Sequence, residues 1–588
     1  MVKRLLGTFL WDAIMDPIGC SVMARTISQL QPAVNGTTER LEGRDAQKAN
    51  FSAGQALAGV IRTTLGPSGM DKMLVTSDGK VIVTNDGASI LDRMEIDHPA
   101  AEMVMQVAET QADTTGDGTT TAVILTSELL GAAEALIDQG LHPTTIADGY
   151  RLAAEQVLET LEKEAIEIDA RNPDRLQDIV RTVITGKWEG ADAQLLSEIA
   201  VEAVQAIEQN GTVDRRNITN QAVAGGGYRD SEVIDGLVID LESSSTSIVA
   251  PAAELPQQIE NATIALVDDQ LTIETVDGLG TVSLDTPEQR QAFLDYEDEV
   301  YEEYVATIAD AGADIVFCQK SIDDPIRYLL ARENIIAVER TRKDELIKLG
   351  HATGAQYVGT VDQLTAMDTG HAGLVERRSI GNRELAIVSE CLNSKQVSIL
   401  LRGGTKHINE EMKRVLDDCL DALALAIETQ VVLPGGGATE VMLAEDLRKH
   451  AEGISEREQL AIEAFGDALE TLPRTLAKNA GMDPIDALID VRRQQHKGNV
   501  TVGLDILNGE IGDMMATGVL EPLAIKQRAV TNAYEAATML IRIDDIIAAA
   551  PDTDTGEDEE EDSDTLHAAT GGYPWSIGHS MGGHGHAH

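Results

Sequence analysis

The sequence predicts a multidomain α+β protein: a mostly helical body interrupted by an inserted α/β domain. Three observations predict it. The chain has 588 residues, too many for one compact domain and enough for roughly three or four. Its flanking regions carry long helical patterns. Between about 231 and 390 the texture changes to short β-rich runs, such as NATIALVDD, ADIVFCQK and IIAVER, that alternate with helical segments. The composition is 43% hydrophobic but only 3% aromatic, so the cores must be built from Ala, Val, Leu and Ile.

The elements follow in order. The opening MVKRLLGTFLWDAIMDPIGC resembles a secretory leader, but Asp12, Asp16 and Pro17 break its apolar segment. Met23 is an alternative start, and residues 1–23 are expected to be a disordered extension or a mis-assigned start. From about Arg44 to Gly66 the pattern is helical and stops at a Gly-Pro. Val81 to Thr84 is a strand, followed by an Asn-Asp-Gly turn. Residues 99–112, 118–140 and 143–168 read as long Ala-rich helices, and no run approaches a membrane-spanning length. After the α/β insertion, helices are expected at 408–428, 437–451, 455–480 and 526–549. The end, DTDTGEDEEEDSD followed by a Gly/His-rich stretch, cannot form a core and is expected to be disordered over 551–588. His579, His584, His586 and His588 are read as an adventitious metal-binding tail at most.

Charge excludes one class of partner. Asp and Glu number 99 against 46 Lys and Arg, a formal net charge of −53. A phosphate backbone needs a basic face, so no nucleic acid partner is expected. Such charge also repels itself, and its spread along the whole chain points to work in concentrated salt. Cys20, Cys318, Cys391 and Cys419 show no CxxC spacing, which leaves neither a zinc site nor a disulfide framework and fits a reducing cytoplasm. No membrane partner is expected.

The chemistry sits in Gly- and Asp-rich turns: TTLGPSGMDKM (63–73), TNDGAS (84–89), TGDGTTT (115–121), RGGT (402–405), PGGGATE (434–440) and NAGMDPID (479–486). Glycine admits a ligand close to the backbone, and a helix start offers unpaired N–H groups to phosphate. In TGDGTTT, the hydroxyls of Thr119, Thr120 and Thr121 add donors, and Asp117 is placed to hold the magnesium that travels with a nucleotide. Read alone, the same residues also serve as an ordinary helix cap. Six such turns together indicate a composite nucleotide pocket. None is a Walker loop or a GxGxxG fingerprint, so a P-loop enzyme and a protein kinase are both excluded.

The run from Leu65 to Leu130, LGPSGMDKM through TGDGTTTAVILTSELL, resembles the nucleotide-binding signature of group II chaperonins, the thermosomes of archaea. ADIVFCQKSIDD, ILLRGGTKHINE, NAGMDPIDALIDVR and GVLEPLAIKQRAVTNAYEAATMLIRIDDIIAA resemble the same family in the same order, over about residues 35–550. The resemblance implies an equatorial domain at 24–169 and 434–550, an intermediate domain at 170–239 and 394–433, and an apical domain at 240–393. A helical lid protrusion would lie within 271–310. It implies double rings of identical or paralogous subunits that enclose unfolded client proteins and close on ATP hydrolysis. ATP and Mg2+ are the implied cofactors, with K+ a compatible further ion.

By the same resemblance, Thr64, Leu65, Gly66 and Pro67 cover the base and α-phosphate. Asp117 ligates magnesium, and Gly118, Thr119, Thr120 and Thr121 cradle the phosphates. Asp86 orients the attacking water, with Asp418 as second carboxylate and Asp417 as the alternative to it. Gly436 and Gly437 pack against the nucleotide, Asn479 and Ala480 border the base, Glu521 reaches the ribose and Lys187 senses the γ-phosphate. Ser68 departs from the family, which has lysine there, and removes one positive charge near the phosphates. Two other readings stay open. A passive holdase would lack a productive cycle, which an intact Asp86, Asp117 and Asp418 argue against. A small-molecule kinase needs an acceptor site for which the sequence gives no sign.

Overall fold

A computed structural model describes residues 38–549, apart from 76–78, 80, 95, 97, 189, 242–255, 273–285, 381–382 and 392–395. The expectations for 1–23 and for the 551–588 tail, and part of the expected lid protrusion, fall outside the described residues. The chain divides into two units. The smaller comes from the two chain ends, where strands Thr38–Glu42 and Asp545–Ala549 pair in a two-stranded sheet. This corrects the expectation of a helix over 526–549: the helix is Leu523–Ile541, and the following residues are a strand. The Ile-rich IDDII run supports either reading locally, and a partner some 500 residues away in sequence decides it.

The larger unit, Glu42–Asp545, holds several apolar cores. The first is helical. Helices Arg44–Ile61, Pro99–Thr115, Thr119–Asp138 and Pro143–Glu164 pack with Ala438–Ala451, Glu458–Leu469 and Leu523–Ile541. Phe51, Leu129, Leu130, Tyr150, Leu447 and Phe465 are wholly buried there. The Tyr150 ring meets Phe465 edge to face at 5.6 Å, and its hydroxyl donates to the Leu129 carbonyl at 2.8 Å. Such a contact satisfies the phenol while keeping its apolar area in the core. Among the described helices, Thr119–Asp138 is long and apolar enough to cross a membrane by length and composition, against the expectation that no run is. More than half of it is buried, so its apolarity belongs to this core.

A second core forms between helices Pro173–Ile184, Gly190–Ile207 and Lys406–Thr429, with strand Val397–Gly403. Val397–Gly403 runs parallel to Ile218–Ala224 and antiparallel to Glu232–Asp240. The second half of Glu232–Asp240 pairs instead with Arg383–Ser389. That one strand therefore carries a nine-stranded sheet onward through Gly370–Ile380, Gln258–Val267, Ile315–Cys318 and Ile336–Val338. The last three are parallel, with helices Pro287–Asp310 and Asp324–Arg332 as connections. Ile264, Leu266 and Phe317 enter the core on one face and Ala265, Val267 and Val316 the core on the other, so both faces are covered and the strands read as continuous apolar runs. Thr286 caps helix Pro287–Asp310 in a capping box with Gln289, and only Val305 and Ile308 of that helix are buried.

The expected helix at 455–480 is two, Glu458–Leu469 and Thr471–Asn479. Pro473 cannot donate to the Leu469 carbonyl and ends the first. Glu470, wholly buried at the break, accepts from Arg448 at 2.8 and 3.0 Å and from Arg492 at 2.7 Å, tying three helices together. Burial works against its charge, but these arginine hydrogen bonds hold its carboxyl below the ordinary range. Removing one partner of a buried ion cluster strands the others. Glu470→Ala is therefore expected to destabilise this unit by about 3 kcal/mol in denaturant unfolding. A loss below about 1 kcal/mol, the scale of exposed pairs, would show the cluster to be worth no more than a surface bridge.

Candidate active site

Four of the six Gly- and Asp-rich turns, 63–73, 84–89, 115–121 and 434–440, converge on a cavity of about 330 Å³, whereas RGGT (402–405) and NAGMDPID (479–486) are not part of its lining. Its lining includes Thr64 to Pro67, Asp86, Asp117 to Thr121, Lys187, Gly436, Gly437 and Glu521. Chain segments hundreds of residues apart thus share one wall. Its apolar side adds Leu472, Leu476, Leu504 and Ile525, a surface suited to a flat heterocycle.

The phosphate-like corner begins where helix Pro99–Thr115 ends in Gly116 and helix Thr119–Asp138 starts after Gly118. Gly118 has φ +83°, and a Cβ there would stand 2.9 Å from Ile525 Cγ2 and 3.0 Å from Gln111 Nε2. No other residue fits without strain. Its N–H donates to Asp117 Oδ1 at 2.7 Å. The Asp117 carbonyl accepts from Gln111 Nε2 at 3.0 Å and Thr115 Oγ1 at 2.9 Å, and Gln111 is wholly buried. The first-turn N–H groups of Thr119, Thr120 and Thr121 have no intrahelical partner by the geometry of any helix start, and they face the cavity with the helix dipole behind them. Gln111 has no signature in sequence; its role is to fix the turn.

The second loop, Thr64–Pro67, follows helix Arg44–Ile61 and a single 3-10 turn. Gly66 adopts φ +82°, and a Cβ would overlap Leu476 Cδ2 at 2.3 Å. Asn479 Nδ2 donates to the carbonyls of Arg62 at 3.1 Å and Leu65 at 2.9 Å. Asn479 thus braces this loop from behind, and neither Asn479 nor Ala480 is part of the cavity lining. Ser68 is exposed.

Two carboxylates meet beside the cavity: Asp86 is part of its lining, and Asp418 is not. Asp86 caps helix Gly87–Asp92, its Oδ2 accepting from Ser89 N–H at 2.8 Å. Its Oδ1 lies 3.2 Å from Arg414 Nη1. Asp418, on helix Lys406–Thr429, accepts from Lys187 Nζ at 2.8 Å and lies 3.3 Å from the same Arg414 nitrogen. Asp417 points elsewhere, to Arg215 and to Asn220 at 2.6 Å. Burial disfavours the charge of Asp86, but Arg414, Lys187 and the Ser89 N–H outweigh it and hold its carboxyl below the ordinary range. Burial dominates at Asp418, where Lys187 and Arg414 only partly compensate, and pushes it up to about 6. Lys187 is held charged: burial opposes, but Asp418 and, farther off, Asp117 and Asp86 raise it. Arg414 carries no motif, though its place one turn before Asp418 is visible in sequence as an i,i+4 pair.

At Glu521 the sequence reading missed two neighbours. Lys526 Nζ lies 2.7 Å from Glu521 Oε2 and also pairs with Glu440. Burial opposes the Lys526 charge, yet the two glutamates hold it protonated. Glu440 Oε2 is buried and takes no hydrogen bond among the described residues.

A nucleotide with magnesium fits this donor set. Among the described residues no cluster of three or more His, Cys, Asp or Glu is arranged for a metal. A hard cation here would be held by the Asp117 carboxylate together with phosphate oxygens, as Mg2+ commonly is.

A family profile of the TCP-1/cpn60 chaperonin family matches residues 57–551. The chain belongs to that family. This chaperonin chain is 46% identical over 512 residues to a thermosome subunit alpha of Halobacterium salinarum, covering 87% of this chain and 90% of that protein. It is 45% identical over 515 residues to a thermosome subunit of Methanopyrus kandleri, covering 87% and 93%. To thermosome subunit 1 of Haloferax volcanii it is 44% identical over 544 residues, covering 92% and 96%. The chain is a group II chaperonin with a mixed α+β fold.

Proposed function

We propose that this chaperonin is an ATP-hydrolysing folding chamber: subunits assemble into a double ring, enclose unfolded protein and close when ATP is hydrolysed. Support for hydrolysis comes from one observation above the rest. Asp86, from the helical core, and Asp418, from the second core, stand on the same guanidinium, and Asp86 lines a Gly/Thr-rich cavity together with Asp117. A passive holdase would have no use for two carboxylates poised in this way.

The residues divide the work as phosphoryl transfer requires, by positioning and charge rather than covalent chemistry. The N–H groups of Thr119 to Thr121 and the three hydroxyls bind phosphate oxygens. Lys187 contributes a positive charge toward the terminal phosphate. Magnesium, when bound through Asp117, supplies charge neutralisation between phosphates. Asp86 and Asp418 orient a water, and Asp418, the weaker acid of the two, accepts its proton. Glu521 is placed to accept from ribose hydroxyls. The domain boundaries at 169/170, 239/240, 393/394 and 433/434 follow the same proposal, with a lid formed by the helix Pro287–Asp310 region. The subunits of the ring are identical or paralogous, the clients are unfolded proteins, and the site of action is the cytoplasm.

The assignment of Asp418 as base carries a pH signature. A carboxyl held at about 6 is ionised above that pH and protonated below it. Single-turnover hydrolysis is therefore expected to fall about tenfold per pH unit on the acid side of its midpoint. A rate flat from about pH 8 to 5 would remove Asp418 from that role. The direct test of the proposal is ATP hydrolysis and client refolding by the assembled protein. Binding of unfolded protein without hydrolysis would favour the holdase.

A further inference from the structure

We infer that Arg414 is a positioning residue that brings Asp86 and Asp418 to bear on one water, by holding a carboxylate oxygen of each on a single guanidinium nitrogen. The inference rests on the hydrolytic reading above and assigns a further residue to it.

The two acids come from different packing units. Asp86 opens helix Gly87–Asp92, whose Ile90 and Leu91 belong to the first core. Asp418 rides on helix Lys406–Thr429, whose Leu416, Cys419 and Leu420 belong to the second. Nothing in either core alone fixes the distance between the two carboxylates, and like charges brought together repel. Among the described ion pairs, Lys187 touches Asp418 but not Asp86, whereas Arg414 Nη1 reaches Asp86 Oδ1 at 3.2 Å and Asp418 Oδ2 at 3.3 Å.

The guanidinium is itself held. Arg414 Nε donates to Glu411 Oε2 at 3.2 Å, and Nη2 pairs with Glu411 Oε1. Glu411 lies one turn earlier on the same helix, so the fork is fixed to that helix and presents its remaining nitrogen outward. The oxygens are shared out accordingly. Asp86 gives Oδ2 to Ser89 and Oδ1 to Arg414. Asp418 gives Oδ2 to Lys187 and Arg414, and among the described contacts its Oδ1 takes none. On this inference, that oxygen is the one left to meet a water. A lysine at 414 could supply charge but not the fork that grips Glu411 with one side and two carboxylates with the other.

The charged groups facing Asp418 are Lys187, Arg414 and Asp86. Glu411 stands behind Arg414, Asp117 lines the cavity and acts on Lys187, and Asp417 is turned to Arg215. Without Arg414, Lys187 alone opposes two carboxylates, so Asp418 should need a higher pH to ionise.

The test uses the full-length assembled chain and its Arg414→Met and Arg414→Lys variants. ATP affinity, single-turnover hydrolysis against pH, and sedimentation are measured on each. Arg414→Met should keep ATP affinity within about threefold, because it removes no phosphate ligand, and lose roughly tenfold or more in hydrolysis. Its acid limb should move to higher pH. Arg414→Lys should return the acid limb toward the parent position yet recover only part of the rate. An Arg414→Met protein with parental rate and pH profile overturns the inference. So does a slow protein whose acid limb has not moved, since that is what a merely structural arginine would give. Should Arg414→Met fail to assemble, Arg414→Lys carries the test, and a parental rate in it overturns the inference. A parent that hydrolyses no ATP overturns the hydrolytic reading, and the role of Arg414 falls with it.

Discussion

Asp418→Ala is expected to bind ATP nearly as the parent does and to hydrolyse it roughly 100-fold more slowly, a typical loss for a catalytic base. The side chain contributes no phosphate ligand, and its bonds go to Lys187 and Arg414. Removing it frees both cations, which would if anything favour a bound polyanion. Asp117→Ala should behave in the opposite way. Its carboxylate orders the Gly118 turn and is the proposed metal ligand, so Mg·ATP affinity itself should fall. Asp417→Ala is the control: it disturbs Arg215 and Asn220 and should leave turnover close to normal. The ring carrying Asp418→Ala should still take up unfolded protein but fail to release it folded, because closure and chemistry would be one event. Near-normal hydrolysis in Asp418→Ala would refute the assignment, and loss of turnover in Asp417→Ala would transfer it.

Dilution of salt should take the assembly apart. Each chain carries a formal charge of −53, and a ring of like chains brings many such charges within reach of one another. The screening length is about 3 Å at 1 M salt and about 30 Å near 10 mM, so repulsion negligible in the first case acts across whole subunits in the second. Intact double rings are expected in molar KCl or NaCl, and single subunits after dialysis to low salt. Sedimentation decides it. A particle unchanged near 10 mM would mean that the interfaces are strong enough to ignore the charge, and the acidity would need another explanation.

The parts of the fold written in local pattern were legible. Gly-Asp-Gly before a run of threonines, the Asn-Asp-Gly turn and the Gly-Gly-Gly before Ala438 announced where the backbone opens to a ligand, and the cavity is lined by those turns. The helix break at Glu470 is also present in sequence, as Pro473. What could not be read was non-local. The strand Asp545–Ala549 depends on Thr38–Glu42 at the other end of the chain. Gln111, Glu440 and Lys526 look like ordinary helix residues until their partners arrive from distant segments. The sequence does not show that the Asn479 amide donates to backbone carbonyls of the neighbouring loop. Asp417 and Asp418 are equivalent in a linear pattern, and only the pitch of their helix turns one toward Lys187 and the other toward Arg215.

Helix Thr119–Asp138 begins in the cavity and runs through the first core, with Ile124, Leu125, Leu129 and Leu130 wholly or almost wholly buried. The three threonines at its start cannot loosen without disturbing a helix whose middle is buried in the first core. Competence to grip phosphate and integrity of the body are therefore one property. On the proposed function, a subunit damaged enough to lose that helix would lose its fuel at the same moment, and a machine that handles misfolded chains would be kept from running on a misfolded part of itself.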